Sequence, residues 1–320
     1  FIDHTHANAV LSLIDQPDGA AIMADVFGDR VDLVPYVRPG FGLAKAAADV
    51  FERRPHVQGL ILDKHGIFTF GETAREAYER MIALVSAAEA RLQRGRRPIV
   101  AASLPAKVAA VTQALPVIRG ACSEKDDSAD GAFRRMIVDF RASPAILAFV
   151  GGAEVARYSQ AGVITPDYTI RTKNWPLVLD PPAAGELAAF REHAQTAAAA
   201  FVARYRDYFA RNNARVGGDK RMLDPLPRVV LVPGLGLFGL GRSKKDAIIA
   251  ADLAEASVEV IADAEAIGRF QSISDADMFD MEYWPLEQDK LGSAAEPPLA
   301  GQVAAITGAG GAIGAATAQA

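Results

Sequence analysis

The stretch from Gly59 to Thr73 constrains this chain more than any other. Gly59-Leu60-Ile61-Leu62 is a continuous apolar run, Asp63-Lys64-His65-Gly66 a polar turn, and Ile67-Phe68 the start of a second strand-like run. Gly71-Glu72-Thr73 then opens a helical pattern through Ala74, Ala77, Met81, Leu84 and Val85. A strand, a tight turn, a second strand and a helix in that order specify an α/β layer, because the strands must bury their apolar face under the helix.

That turn carries His65, and the chain opens with His4-Thr5-His6. Residues i and i+2 of an extended segment project to the same side, so the first two imidazoles can aim at one point. A strand ending at the rim of the sheet can bring His65 to the same place. Three neutral imidazoles that leave a coordination position open describe a catalytic zinc site rather than a structural one. The expected metal ligands are His4, His6 and His65.

Phe1 to Val10 reads as a strand running into a helix, and Pro35-Tyr36-Val37-Arg38-Pro39-Gly40 lies as a loop between the two histidine segments. H-x-H, this loop and the later His-Gly turn together resemble the class II aldolase/adducin family. The resemblance implies a three-layer α/β/α domain and a zinc or similar divalent ion on the three histidines. It also implies a catalytic Glu upstream of H-x-H, with phosphate-binding loops upstream too. Neither lies in this sequence, so no catalytic acid or base is assigned. Asp3 would point away from the histidine face, and Glu72 reads as a favourable charge at a helix start.

The chain has 320 residues, enough for more than one domain. Half of them are hydrophobic and 23% charged, an ordinary soluble composition. A net charge of −5 offers no basic surface for nucleic acid or anionic lipid, and no apolar run is long enough to span a bilayer. The single cysteine, Cys122, precludes an internal disulfide and fits a reducing, cytoplasmic compartment; it reads as a small buried thiol. The start at Phe1, inside a strand, leads to the expectation of a longer protein.

Four segments are expected. Residues 1–97 form the metal-bearing part, closed by the basic, solvent-facing junction Arg94-Gly95-Arg96-Arg97-Pro98. Residues 98–291 form a second α/β lobe, with strands at Ile99–Ser103 and Val229–Val232 and a helix from about Gly185 to Asn212. Residues 292–300 have linker composition. In residues 301–320 a strand, Gly301 to Ile306, runs into Thr307-Gly308-Ala309-Gly310-Gly311-Ala312-Ile313-Gly314 and a helix. Glycines there would let a backbone approach a pyrophosphate at a helix N-terminus. This resembles the start of a short-chain dehydrogenase Rossmann domain, which implies NAD(P) contacts at Thr307, Gly308, Gly310, Gly311, Ile313 and Gly314.

A shift of 170 residues sets Leu60-Ile61-Leu62 on Val230-Leu231-Val232 and Gly66, Phe68, Gly71 and Ala77 on Gly236, Phe238, Gly241 and Ala247. His65 falls on Leu235, so the second lobe reads as a degenerate copy without a metal site. Chance matching of Gly and Ala is the competing explanation. Thr165-Pro166-Asp167-Tyr168 and Arg171-Thr172-Lys173 read as a polar turn flanked by strand residues. His193 reads as a surface residue, His56 as a loop residue, and Trp175 and Trp284 as packing anchors.

The whole order resembles the bifunctional rhamnulose-1-phosphate aldolase/short-chain dehydrogenase family. That implies cleavage of a ketose 1-phosphate to dihydroxyacetone phosphate and lactaldehyde, with a fused dehydrogenase for a small aldehyde or alcohol. A phosphorylated sugar and a homo-oligomeric assembly are the expected partners, with neither nucleic acid nor membrane. Two alternatives stay open: a metal-dependent sugar-phosphate 4-epimerase, and a non-catalytic adducin-like binding module.

Overall fold

The computed structural model describes residues 1–125, 133–292 and 299–319. The first half runs β1 (Ile2–Thr5), α1 (Asn8–Ile14), α2 (Gly19–Phe27), β2 (Val31–Val34), α3 (Phe41–Arg53), β3 (Gly59–Leu62), β4 (Gly66–Phe70) and α4 (Ala74–Leu92). After a connection come α5 (Val111–Ala121) and a small hairpin of β5 (Glu124–Lys125) and β6 (Phe133–Arg134). The second half continues with β7 (Ile137–Arg141), α6 (Pro144–Val150), α7 (Val155–Tyr158), α8 (Thr169–Thr172), β8 (Leu177–Val178), α9 (Leu187–Arg215), β9 (Val229–Val232), β10 (Gly236–Gly241) and α10 (Lys244–Ile267). Then α11 (Asp275–Glu282), α12 (Pro285–Gln288) and α13 (Ala312–Gln319) follow.

The two four-stranded sheets have the same topology. The first is ordered β1-β4-β3-β2 and the second β7-β10-β9-β8. In each, the outer pair β2/β3 or β8/β9 is parallel and the other pairings are antiparallel. Register agrees residue by residue at the 170-residue shift: Leu62 pairs with Gly66 and Val232 with Gly236. The turns agree as well, with Lys64 at φ 55° and Gly234 at φ 77°. Gly66 and Gly236 are required for the same reason. A Cβ there would lie 2.6 Å from Thr5 O in the first sheet and 2.3 Å from Arg141 O in the second, inside contact distance of backbone. Each following helix is capped alike: Thr73 Oγ1 accepts from the Glu76 N–H and Ser243 Oγ from the Asp246 N–H, both at 3.1 Å.

Alternation along the strands builds three layers in each half. Leu60 and Leu62 face α3 with Leu43, Ala47 and Val50, while Ile61 and Ile67 face α1 and α4. In the second sheet Val230 and Val232 face α9, and Val229 and Leu231 face α10. Each such buried aliphatic side chain contributes roughly 1.5–3 kcal/mol. The halves share one core: Val10, Leu11, Leu13 and Ile14 of α1 join Ile146 and Phe149 of α6 and Val258, Ile261 and Ala264 of α10 in a single cluster. The α10 helix, 24 residues long, is the spine against which both α1 and α6 pack.

Three expectations from the sequence are corrected. Ile99–Ser103 is not a strand; only Ala101 forms an isolated bridge, to Gly152, and Val100 is 73% exposed. Flanking Pro98 and Pro105 lack the N–H that a ladder needs. Gly301–Ile306 is not a strand either: Gly301 N–H donates to Arg242 O, but no sheet edge among the described residues pairs with the segment beyond it. A strand without a neighbour gains no ladder, so the chain continues irregularly into the glycine turn and α13. Residues 165–173 form a one-turn 3-10 helix at Pro166–Tyr168 and α8 rather than a turn between strands. Most of the expected linker, residues 293–298, lies outside the described residues. Cys122 is buried, and burial, with Arg228 opposing, pushes its thiol up to about 12. Among the described residues no helix is long and apolar enough to cross a membrane.

Candidate metal centre

The sheet brings His4, His6 and His65 together. Strand β1 lies against β4 with His4 opposite Phe68, and the β3–β4 turn, closed by the His65 N–H donating to Leu62 O at 3.0 Å, swings His65 over the same edge. Ring centroids are 4.9 Å (His4–His6), 5.2 Å (His4–His65) and 4.8 Å (His6–His65) apart. One nitrogen from each ring lies within 4.8 Å of the others.

The donor chemistry fits a cation. His4 Nδ1 is 3.0 Å from Ile67 O; a carbonyl only accepts, so Nδ1 carries the proton and Nε2 offers its lone pair. That Nε2 stands 3.1 Å from His6 Nε2. His65 is 6% exposed, and its buried Nδ1 has no hydrogen-bond partner. Burial first, then His6 and His4, push the His65 imidazole down to about 3, so it is neutral at physiological pH. Burial also lowers His6, with Asp167 opposing and His4 adding to the shift. Three imidazoles this close together, one of them buried and neutral, suit a divalent ion.

The rings open on a cavity of about 470 Å³. Gly40, at φ 124°, and Leu43 form one wall; a Cβ on Gly40 would come within 3.2 Å of Trp284. The opposite wall comes from the second half: Asp167, Trp284, Glu287 and Lys290. The Arg38 guanidinium lies over the Trp284 ring, 5.3 Å from its centre. Glu287 pairs with Lys290 at 2.8 Å, and burial raises its carboxyl while Lys290 holds it down.

Sequence reasoning missed this second wall. Thr165 and Asp167 stood out only as a polar turn, and Trp284 as a packing anchor. Trp175 is a packing anchor, 4% exposed against Tyr208. His193 is a half-exposed acceptor for the Asp180 N–H, and His56 is exposed. In the second sheet, register puts Phe140 at the place of His4, and the turn puts Leu235 at the place of His65. Phe140 rests on Phe238 at 5.0 Å as His4 rests on Phe68 at 4.7 Å, so packing survives where the donor nitrogens are absent.

A larger cavity of about 950 Å³ lies elsewhere in the second half. Its cations are already paired: Lys173 with Glu282, and Arg228 and Arg242 with Asp224. The glycine turn holds Thr307, Gly308, Gly310 and Gly311 before α13, which carries Ile313 and Gly314. Gly308 has φ 68°, the Gly311 N–H donates to Gly308 O, and Ile313 is 85% exposed.

Residues 1–92 match the class II aldolase and adducin N-terminal domain, and residues 109–291 match the class II aldolase second domain. The chain belongs to the class II aldolase/adducin family. It is 32% identical, over 98% of its own length, to "Uncharacterized oxidoreductase YuxG" from Bacillus subtilis (strain 168), of which it spans 46%. It is also 40% identical, over 28% of its length, to 41% of a solved chain described as the N-terminal class II aldolase domain of a conserved protein from Thermoplasma acidophilum, with a TM-score of 0.27.

Proposed function

We propose that this chain is the aldolase part of a larger enzyme and performs metal-dependent retro-aldol cleavage of a ketose 1-phosphate. Rhamnulose 1-phosphate is the proposed substrate, with dihydroxyacetone phosphate and lactaldehyde as products. The observation that carries the reading is the convergence of His4, His6 and His65 on one point, with a buried, partnerless nitrogen on His65. Zinc or a similar divalent cation held there supplies positive charge where cleavage develops negative charge on the substrate oxygen. The chain's own residues do the rest. Neutral imidazoles hold the cation without cancelling its charge, and Trp284 and Leu43 narrow the cavity against water. Glu287, paired with Lys290, lines the same cavity as the three rings.

The segment from Gly301 onward is proposed to lead into a dehydrogenase part that uses NAD(P). The relative named an oxidoreductase supports that reading, as does the turn from Thr307 to Gly314. Assembly as a homo-oligomer in the cytoplasm completes the proposal. Metal analysis should find one divalent ion per chain. The full-length protein should release dihydroxyacetone phosphate from rhamnulose 1-phosphate, detected by a coupled reductase. Absence of bound metal, or an epimerised sugar phosphate as the product, overturns it.

A further inference from the structure

His6 is held from the other half of the chain. Its Nδ1 lies 3.3 Å from Thr165 Oγ1, and Thr165 Oγ1 lies 3.1 Å from Asp167 Oδ1 and 3.5 Å from His65 O. Asp167 Oδ1 is 3.7 Å from His6 Nδ1, too far for a hydrogen bond but near enough for attraction. Thr165 is 1% exposed, so bulk water does not compete for its hydroxyl.

We propose that Thr165 and Asp167 are positioning residues that hold His6 in its Nδ1–H tautomer and aim Nε2 into the metal cleft. A threonine hydroxyl has one proton to give. Both acceptors near it, the Asp167 carboxylate and the His65 carbonyl, lack protons, so that proton goes to one of them. The Asp167 carboxylate, charged and at 3.1 Å, is a stronger and nearer acceptor than a neutral imidazole nitrogen at 3.3 Å. With the proton on that side, the oxygen turns a lone pair toward His6, which then donates from Nδ1. His4 reaches the same state through Ile67 O. The two Nε2 atoms lie 3.1 Å apart, and with both rings protonated at Nδ1 they face each other as lone pairs, an arrangement that a cation would favour. Partners of this kind, behind the ligating ring, fix the tautomer and ring direction of metal-bound histidines. The degenerate half of the chain thus keeps a task at the working site: it sets the geometry of a ligand that it does not itself possess.

The inference rests on the metal reading, and its test separates the two. In metal-free protein, ¹⁵N-histidine NMR should show His6 protonated at Nδ1. In Thr165→Val the ring should shift toward the Nε2–H form, which can donate to His4 Nε2. Chelator-competition titration with Zn²⁺ should show Thr165→Val weakened about 10–100-fold, with Thr165→Ser retaining affinity within about threefold. Asp167→Asn should fall between them. An Nε2–H tautomer in the wild type overturns the inference. So does Thr165→Val binding within about twofold of wild type, or Thr165→Ser losing as much as Thr165→Val. A wild-type protein that binds no zinc removes the metal reading alone, and the tautomer measurement still decides the role of Thr165.

Discussion

Leu235 stands in the second sheet where His65 stands in the first. Each lies one residue before the glycine that starts the next strand, and each donates its N–H to the carbonyl three residues back, at 3.0 Å in both cases. The backbone is the same and the side chain decides the outcome: an imidazole with a free nitrogen in one half, an apolar packing group 8% exposed in the other.

Substitutions at these two positions should therefore separate. His65→Gln should reduce bound metal to a small fraction of the wild-type content, with little loss of folding stability, because the buried Nδ1 of the ring makes no hydrogen bond to the protein. Leu235→Ala should leave metal content intact and destabilise folding by about 2–5 kcal/mol. Metal analysis and urea unfolding of each variant check both statements.

The two helix caps should be equivalent. Thr73→Ala and Ser243→Ala each remove a side-chain acceptor at the start of a long helix, and each should cost about 1 kcal/mol. Chemical denaturation of the two variants measures this, and a large loss for only one of them would show that the halves do not share their stability evenly.

Stability toward acid should depend on Asp224. Burial raises its carboxyl, but Arg228, the Leu226 N–H, Arg242 and Lys173 outweigh burial and hold it at about 2, against 3.8 for the free group. A carboxylate depressed in the folded state stabilises above the unfolded value and loses that contribution as pH falls from 3.8 through 2. Asp224→Asn should cost about 2 kcal/mol at pH 7. The gap from wild type should close near pH 2, which unfolding midpoints across that range would reveal.

Gly40 should matter to substrate rather than to metal. A methyl group there would press on Trp284 at 3.2 Å from a backbone at φ 124°. Gly40→Ala should raise KM for the proposed sugar phosphate severalfold and lower stability by about 1–2 kcal/mol, with metal content equal to that of the wild type. Equal KM values for variant and wild type would show that this wall does not touch substrate.

Local chemistry was legible where one segment contains its own explanation. The turn around His65, the Val229–Val232 strand and the Ala-rich helix, which runs Leu187–Arg215, follow from runs and spacings that any neighbour would satisfy. The repeat was legible through Gly66 and Gly236, because the need for no side chain is imposed by a backbone oxygen within the same small sheet. The strands expected at Ile99–Ser103 and Gly301–Ile306 failed because a strand exists only with a partner edge, and an apolar run carries no information about whether one is near.

The sequence by itself determined which histidines would meet: two on one face of a strand and a third at the end of another strand come together in one cluster. What only the tertiary structure decided is the company they keep. Thr165 reaches His6 across 159 positions, and Trp284 and Glu287 arrive from still further along the chain. They arrive because α1 and α6 bury their apolar faces on one helix, α10. That packing holds the two halves against each other, and no local pattern in either half specifies the distance between them.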